Sequence, residues 1–287
     1  MTPRRAERGI DALLPAEIAE KAEAVGAEKT RLDAVTLAVL AVLAGAFIAL
    51  GALFATTVLA GAHGAVPYGI SHFLAGLAFS LGLILVVVGG AELFTGNTLM
   101  VMAWAGGKVG LAEMLRAWAI IYVGNLVGAV ATALLALLAG QYLLADGEIG
   151  ARALAIAETK ATLPFGRALF LGVLCNVLVC LAVWLALGAR STSDKILAIL
   201  FPVAAFVAAG FEHSVANMYF IPFGLFIRLW APASFWTGIG ATPADYADIT
   251  WLGLVANLVP VTIGNVIGGG VLVGAVYWFV YLRKRAR

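Results

Sequence analysis

Asp33 and Glu92 bracket 58 residues without a Lys, Arg, Asp or Glu, and further uncharged runs cover 93–107, 117–145, 168–189, 196–211, 213–227 and 249–282. About 20 apolar residues cross a hydrocarbon core of about 30 Å as a helix. The first run is long enough for two such spans, and Gly61-Ala62-His63-Gly64-Ala65-Val66-Pro67 reads as the turn between them. Joining the interrupted runs predicts six spans, near 34–60, 72–104, 112–140, 165–189, 195–228 and 250–282. Period-two alternation is absent and the runs are too long for barrel strands. The expected fold is therefore an all-α integral membrane protein with six transmembrane helices.

Composition agrees with that pattern. Of 287 residues, 63% are hydrophobic and 12% charged, with a mean hydropathy of +1.02, beyond what a soluble domain of this size needs. The formal net charge of +2 points to neither nucleic acid nor an acidic partner, so the placement of the charges matters more than their sum. With the N-terminus inside, the inner segments hold Arg4, Arg5, Arg8, Lys21, Lys29, Arg31, Lys108, Arg116, Arg190, Lys195, Arg283, Lys284, Arg285 and Arg287. The outer segments hold only Arg152, Lys160, Arg167 and Arg228. Fourteen against four predicts both termini on the cytoplasmic face.

The chain divides into residues 1–32, a membrane domain over 33–283 and a basic tail over 284–287. Residues 1–32 lack the apolar core of a signal peptide, because Glu17, Glu20, Glu23 and Glu28 interrupt them. Pro15 followed by AEIAEKAEAVGAEK reads as a short amphipathic helix, expected to be a solvated cytoplasmic cap; a regulatory plug over a pore mouth is the alternative. Cys175 and Cys180, five apart on one predicted helix, point to different faces and read as small buried residues.

Ionisable groups interrupt two predicted spans in the same way. Gly90-Ala91-Glu92-Leu93-Phe94-Thr95-Gly96-Asn97 aligns without gaps on Gly210-Phe211-Glu212-His213-Ser214-Val215-Ala216-Asn217, sharing G-x-E-x-x-x-[GA]-N. A second echo follows each: Tyr122-Val123-Gly124-Asn125-Leu126-Val127-Gly128 resembles Thr262-Ile263-Gly264-Asn265-Val266-Ile267-Gly268. Three spans per half make the halves enter the membrane in opposite directions, an inverted repeat whose Gly-interrupted segments mark a midplane site. Chance matches among Gly- and Ala-rich helices are the competing explanation. Glycine at each break lets the backbone leave the helix, and Glu92 and Glu212 are expected to accept hydrogen bonds from the freed N–H groups of the half-helix that follows. A proton-relay role for either glutamate is the alternative.

His63 and His72 fall at the first predicted turn, whereas His213 lies inside a span at the break. A metal site needs more ligands than a lone histidine, and Ser214 beside it is not thereby a nucleophile, so neither a metal nor a cofactor nor an enzyme is expected. Proton exchange fits better. A naked anion in low dielectric bears a cost on the order of tens of kcal/mol. Neutralising a carboxylate of pKa about 4 at neutral pH costs roughly 4 kcal/mol. Among the spans, His213 is the side chain suited to exchanging that proton.

These residues carry a resemblance. The stretches LLPAEIAEKAEAVGAEK (13–29), FSLGLILVVVGGAELFT, LCNVLVCLAVW, FVAAGFEHSVANMYFIP and PVTIGNVIGGGVLVGAVYW (260–278) resemble the formate/nitrite transporter family over nearly the whole chain, nearest its bacterial formate channels. The resemblance implies an aquaporin-like fold assembled as a homopentamer in the bacterial inner membrane, with a channel in each protomer for small monovalent anions, chiefly formate. It carries Thr95 over as the residue facing the central His213. Phe79, Leu83, Leu93, Val179 and Phe206 match positions that narrow the pathway, and Asn176 and Asn217 match polar residues beside it. Lys160, on spacing alone a solvated loop charge, matches a vestibule lysine that attracts anions. The loop after Thr95 reads GNTLM, which departs slightly from the nearest relatives. Nitrite and hydrosulfide compete as substrates within the family. A neutral-solute channel of aquaporin type is the other alternative, although its Asn-Pro-Ala pair is missing.

Overall fold

The computed structural model describes residues 11–62 and 66–284. His63 and the charges at Arg4, Arg5, Arg8, Arg285 and Arg287 lie outside the described residues. Among the described residues all regular structure is helical: α1 (Pro15–Thr30), α2 (Ala34–Leu59), α3 (Tyr68–Gly89), the short α4 (Phe94–Asn97) and α5 (Val101–Ala105), α6 (Leu111–Leu138), α7 (Glu148–Ala161), α8 (Phe165–Gly188), α9 (Thr192–Ala208), α10 (Ser214–Trp230), α11 (Ala233–Ile239), α12 (Trp251–Asn265) and α13 (Val276–Tyr281). Five helical stretches are long and apolar enough to cross a membrane: α2, α3, α6, α8 and Pro243–Tyr281, which contains α12 and α13. The predicted span 195–228 is instead two 17-residue helices, α9 and α10, separated by a break. The predicted span 72–104 is likewise α3, a break, and the short pieces α4 and α5.

The two breaks are built alike. Gly90 and Gly210 end α3 and α9 at φ +82° and +69°, a left-handed conformation that suits a residue without Cβ. The next N–H groups reach back in the same register, Ala91 to the Val86 carbonyl and Phe211 to the Phe206 carbonyl. Glu92 N–H then donates to Leu40 on α2, and Glu212 N–H donates to Leu171 on α8. The repeat legible in the sequence is thus repeated bond by bond.

The Gly-Asn echo explains how the breaks survive in an apolar medium. Asn125 of α6 accepts from Phe94 N–H at 2.9 Å and donates to the Ala41 and Glu92 carbonyls at 2.7 and 2.9 Å. Asn265 of α12 does the same for the second break, accepting from Ser214 N–H at 3.0 Å and donating to Gly172 and Glu212 carbonyls at 2.8 and 3.0 Å. This corrects the partners expected for the glutamates. One freed N–H at each break, that of Phe94 and that of Ser214, goes to an asparagine amide, which both donates and accepts and so can satisfy N–H and C=O together, as a carboxylate cannot.

Close helix approach puts those amides in reach. A Cβ at Gly264 would stand 2.2 Å from the Leu169 carbonyl oxygen, and one at Gly268 would stand 2.2 Å from that of Val173. Helix α12 therefore packs backbone to backbone on α8, as α6 does on α2. On the axis relating the halves, Tyr122 and Thr262, equivalent positions of the echo, bond each other at 2.9 Å. The halves differ after Asn265, whose carbonyl accepts from Asn176 Nδ2 at 2.7 Å. From Val266 to Ala275 the helix widens to π geometry.

Helix α1 is not a solvated cap. Ile18, Ala19 and Ala22 pack with Met102, Trp184 and Leu282, and Glu23 pairs with Lys108. Lys21 Nζ donates to the Leu187 carbonyl at 2.7 Å, near the C-terminus of α8. Desolvation there, with Lys195 and Arg190 nearby, lowers its pKa from the usual lysine value. Replacing Gly264 by Ala is expected to lower the melting temperature in detergent, at a cost of about 1–3 kcal/mol for an overpacked contact. Gly166→Ala in α8, where a Cβ meets nothing within 4 Å, is expected to be neutral or stabilising, and equal melting of both variants would contradict this packing.

Candidate substrate pathway

Two cavities approach each other through the protein. One, of about 280 Å³, lies beside α1 and is lined by Lys29, Leu83, Glu92, Leu93 and Asn97 among others. The other, of about 360 Å³, lies beside α7 and is lined by Phe79, Lys160, Phe206, Glu212, His213 and Asn217. They share no lining residue. Closed packing, here called the septum, separates them: Phe79 and Phe206 on one side and Leu83 and Leu93 on the other are each at most 3% exposed, and Thr95 and Val179, which line neither cavity, are also buried.

Each cavity ends on an ion pair. On the α7 side Lys160 Nζ donates to Glu212 at 2.8 Å and lies 5.4 Å from the centre of the Phe220 ring. On the α1 side Lys29 Nζ lies 2.9 Å from Glu92 and donates to Asn97 Oδ1 at 3.0 Å. Each carboxylate also accepts from the asparagine five residues on, Asn97 at 2.7 Å and Asn217 at 2.6 Å. Pairing and hydrogen bonding together are what let such charges stay buried. The second pair is propped further, because Asn217 also donates to Asn257 Oδ1, and Asn257 donates to the Lys160 carbonyl.

In the septum His213 Nε2 lies 3.0 Å from Thr95 Oγ1. Its other nitrogen, Nδ1, accepts from Ala216 N–H at 3.0 Å and so caps α10. A nitrogen that accepts a backbone N–H carries no hydrogen, so the neutral ring bears its proton on Nε2 and donates to Thr95. Leu93, at the equivalent position of the first break, has no side chain that can cap α4. Phe206 stacks on the imidazole at 6.0 Å, and Phe79 meets Phe206 edge-on at 5.6 Å.

Of the sequence-derived residues, Leu83, Leu93 and Glu92 line one cavity and Phe79, Lys160, Phe206, Glu212, His213 and Asn217 the other, whereas Thr95, Val179 and Asn176 line neither. Asn176 sits behind the α4 turn and donates to the Thr95 and Asn265 carbonyls and to Thr98 Oγ1. Sequence reasoning missed Lys29, Asn97 and Asn257. Asn97 was available as the repeat mate of Asn217, whereas Lys29 gave no signal beyond being one of many basic residues. His72, read as a turn residue, is the fifth residue of α3, one turn on from Tyr68, and lines the α7-side cavity.

The family model described as formate/nitrite transporter matches residues 16–279. The chain belongs to the formate/nitrite transporter family. Within that family it is 44% identical to "Formate channel FocA" of Escherichia coli (strain K12) over 281 residues, covering 98% of both chains. It is 39% identical to the protein of the same name from Haemophilus influenzae, covering 92% of this chain and 93% of that one. Among solved structures, "Pentameric formate channel with formate bound" superposes with a TM-score of 0.83 at 45% identity, covering 87% of this chain and 98% of that one. The "FNT family ion channel" reaches 0.79 at 32% identity, covering 92% and 98%.

The ion pairs make a test. Lys160→Met leaves Glu212 buried without its cation and Glu212→Gln leaves Lys160 without its anion, so each single change is expected to destabilise by about 3–5 kcal/mol. The double variant removes both charges and is expected to melt closer to the wild type than either single one. Additive losses in that cycle would contradict the pairing.

Proposed function

We propose that the protein is a formate channel. It works as a homopentamer of six-span protomers in the bacterial cytoplasmic membrane, with a pathway in each protomer and both termini on the cytoplasmic face. The observation that carries this reading is the His213–Thr95 hydrogen bond inside an apolar septum between two cavities that each end on a lysine–glutamate pair. The names of the relatives support formate as substrate, and the formate-bound neighbour, itself pentameric, supports the assembly. The surplus of basic residues in segments on the N-terminal side supports the orientation.

On this reading the α7-side cavity faces out and the α1-side cavity faces the cytoplasm. Lys160 draws the anion inward and Lys29 plays the same part at the other end. Phe79 and Phe206 narrow the outer approach, and Leu83, Leu93 and Val179 the inner one, rejecting hydrated ions. Between them the anion meets donors: the Nε2–H of His213 and the hydroxyl of Thr95. A bare carboxylate in so dry a passage is costlier than its acid, for which the proton costs roughly 4 kcal/mol at neutral pH. His213 supplies the exchange point. A proton arriving on Nδ1 takes that nitrogen away from Ala216 N–H, so the imidazolium exists only while the first turn of α10 is uncapped. Loss of such a cap costs about 1 kcal/mol, which keeps the cation transient. Glu92 and Glu212 hold Asn97, Asn217 and the lysines in place.

Nitrite and hydrosulfide are similar in charge and size, so flux of a panel of solutes decides among them. In proteoliposomes at two pH values, formate is expected to pass faster than nitrite, hydrosulfide, lactate or water. His213→Asn and His213→Phe are expected to alter the pH dependence of formate uptake. Water flux without formate flux would overturn the channel assignment, and unchanged pH dependence in both variants would overturn the proton-exchange role.

A further inference from the structure

Besides Lys160 and His213, the α7-side cavity is lined by two further basic groups, Arg152 and His72. Residues 152, 155, 156, 159 and 160 all line it, the spacing of one helix face, so α7 turns both Arg152 and Lys160 toward the same space. Eight residues of helix set them about 12 Å apart along the axis. Lys160 is held by Glu212 at the septum end. Arg152 belongs to the other end, with Tyr68 and His72 from the start of α3. The Tyr68 ring stacks on the His72 imidazole, with centroids 3.7 Å apart and planes inclined by 22°. Its hydroxyl lies 3.7 Å from where a Cβ on Gly210 would stand, so Tyr68 links the start of α3 to the second break.

Geometry sets the chemistry of His72. Its Nδ1 is 3.0 Å from the Tyr68 carbonyl, an acceptor only, so Nδ1 carries the hydrogen and Nε2 is the nitrogen that gains or loses a proton. Ser71 Oγ, 3.3 Å from the same Nδ1, lies 3.0 Å from that carbonyl and donates to it. With Nε2 bare, the ring offers an anion only a lone pair; with Nε2 protonated, it offers a donor and a positive charge. Among the described residues, the charged and titratable groups facing this space are Tyr68 on the same helix, Arg152 and Lys160 on α7, and Glu212 and His213 at the break. Arg152 opposes an imidazolium, the face of Tyr68 favours it, and Lys160 and Glu212 offset each other. An anion seated between Arg152 and His72 relieves that opposition, so anion and proton bind cooperatively.

We infer that Arg152, His72 and Tyr68 form a second anion-binding position at the mouth of this cavity, which takes a small monovalent carboxylate and passes it on to Lys160, with a hold that tightens as His72 gains a proton. The inference rests on the formate-channel reading. Arg152 supplies the fork that suits a carboxylate, and the stacked His72 supplies the adjustable donor. The position would act as a selecting mouth that fills more readily when the solution on that side is acidic.

The test is formate influx from the α7 side, in vesicles with that face outward, at external pH about 5.5 and about 8, on either side of the ordinary histidine range. The half-saturating formate concentration is expected to be about threefold to tenfold lower at the acidic pH. His72→Gln is expected to fix it at the higher value and His72→Lys at the lower value, at both pH values. Arg152→Gln is expected to raise it by about tenfold, more than it lowers the maximal rate, and Arg152→Lys to restore most of the loss. Half-saturation in His72→Gln, His72→Lys and Arg152→Gln that tracks the wild type at both pH values, with formate flux intact, would overturn the inference. Absence of formate flux in the wild type would overturn the channel reading instead.

Discussion

A backbone that leaves its helix inside a bilayer must find new hydrogen-bond partners, and in this protein Asn125 and Asn265 supply them. Each amide holds three backbone groups around one break, and the rest of the pathway depends on that arrangement. With one freed N–H at each break satisfied by asparagine, Glu92 and Glu212 are left to bind Asn97, Asn217 and the two lysines. Ser214 N–H goes to Asn265, and Ala216 N–H, also in the first turn of α10, falls to His213 Nδ1. The chemical state of the septum histidine is thus a consequence of how a broken helix is mended.

The halves obey the same rules until they reach the septum, where they part. His213 caps α10, but Leu93 at the matching position caps nothing, and α4 runs for four residues before giving way to a tighter turn over Thr98–Met100. The first half therefore contributes a short irregular loop that delivers Thr95, and the second contributes a regular half-helix that delivers a fixed imidazole. One polar contact results, in the middle of an otherwise apolar barrier.

Much of this was legible in the chain. The charge-free runs gave the helices, since length and apolarity are direct physical requirements of a bilayer. The two octapeptides gave the breaks, because Gly-x-Glu inside a span has few structural uses. What stayed hidden was the pairing across elements. Periodicity says which face of α1 is apolar, but not that Lys29 at its end reaches Glu92, 63 positions on, because that contact depends on how α1 docks against Met102 and Trp184. The glutamates were misassigned as backbone staples for the same reason: sequence showed that N–H groups were freed, and only packing shows that Asn125 is nearer to them. Resemblance to the family supplied Lys160, which spacing alone reads as a loop charge.

The link between a mended break and pathway chemistry can be observed in the ring itself. Nitrogen-15 chemical shifts of His213 in the membrane-reconstituted protein at neutral pH, assigned by loss of the signals in His213→Asn, report which nitrogen bears hydrogen. The structure requires a protonated Nε2 and a bare Nδ1. A resting ring with hydrogen on Nδ1, whether as the other tautomer or as a stable imidazolium, would contradict it, because the cap on Ala216 could not then form.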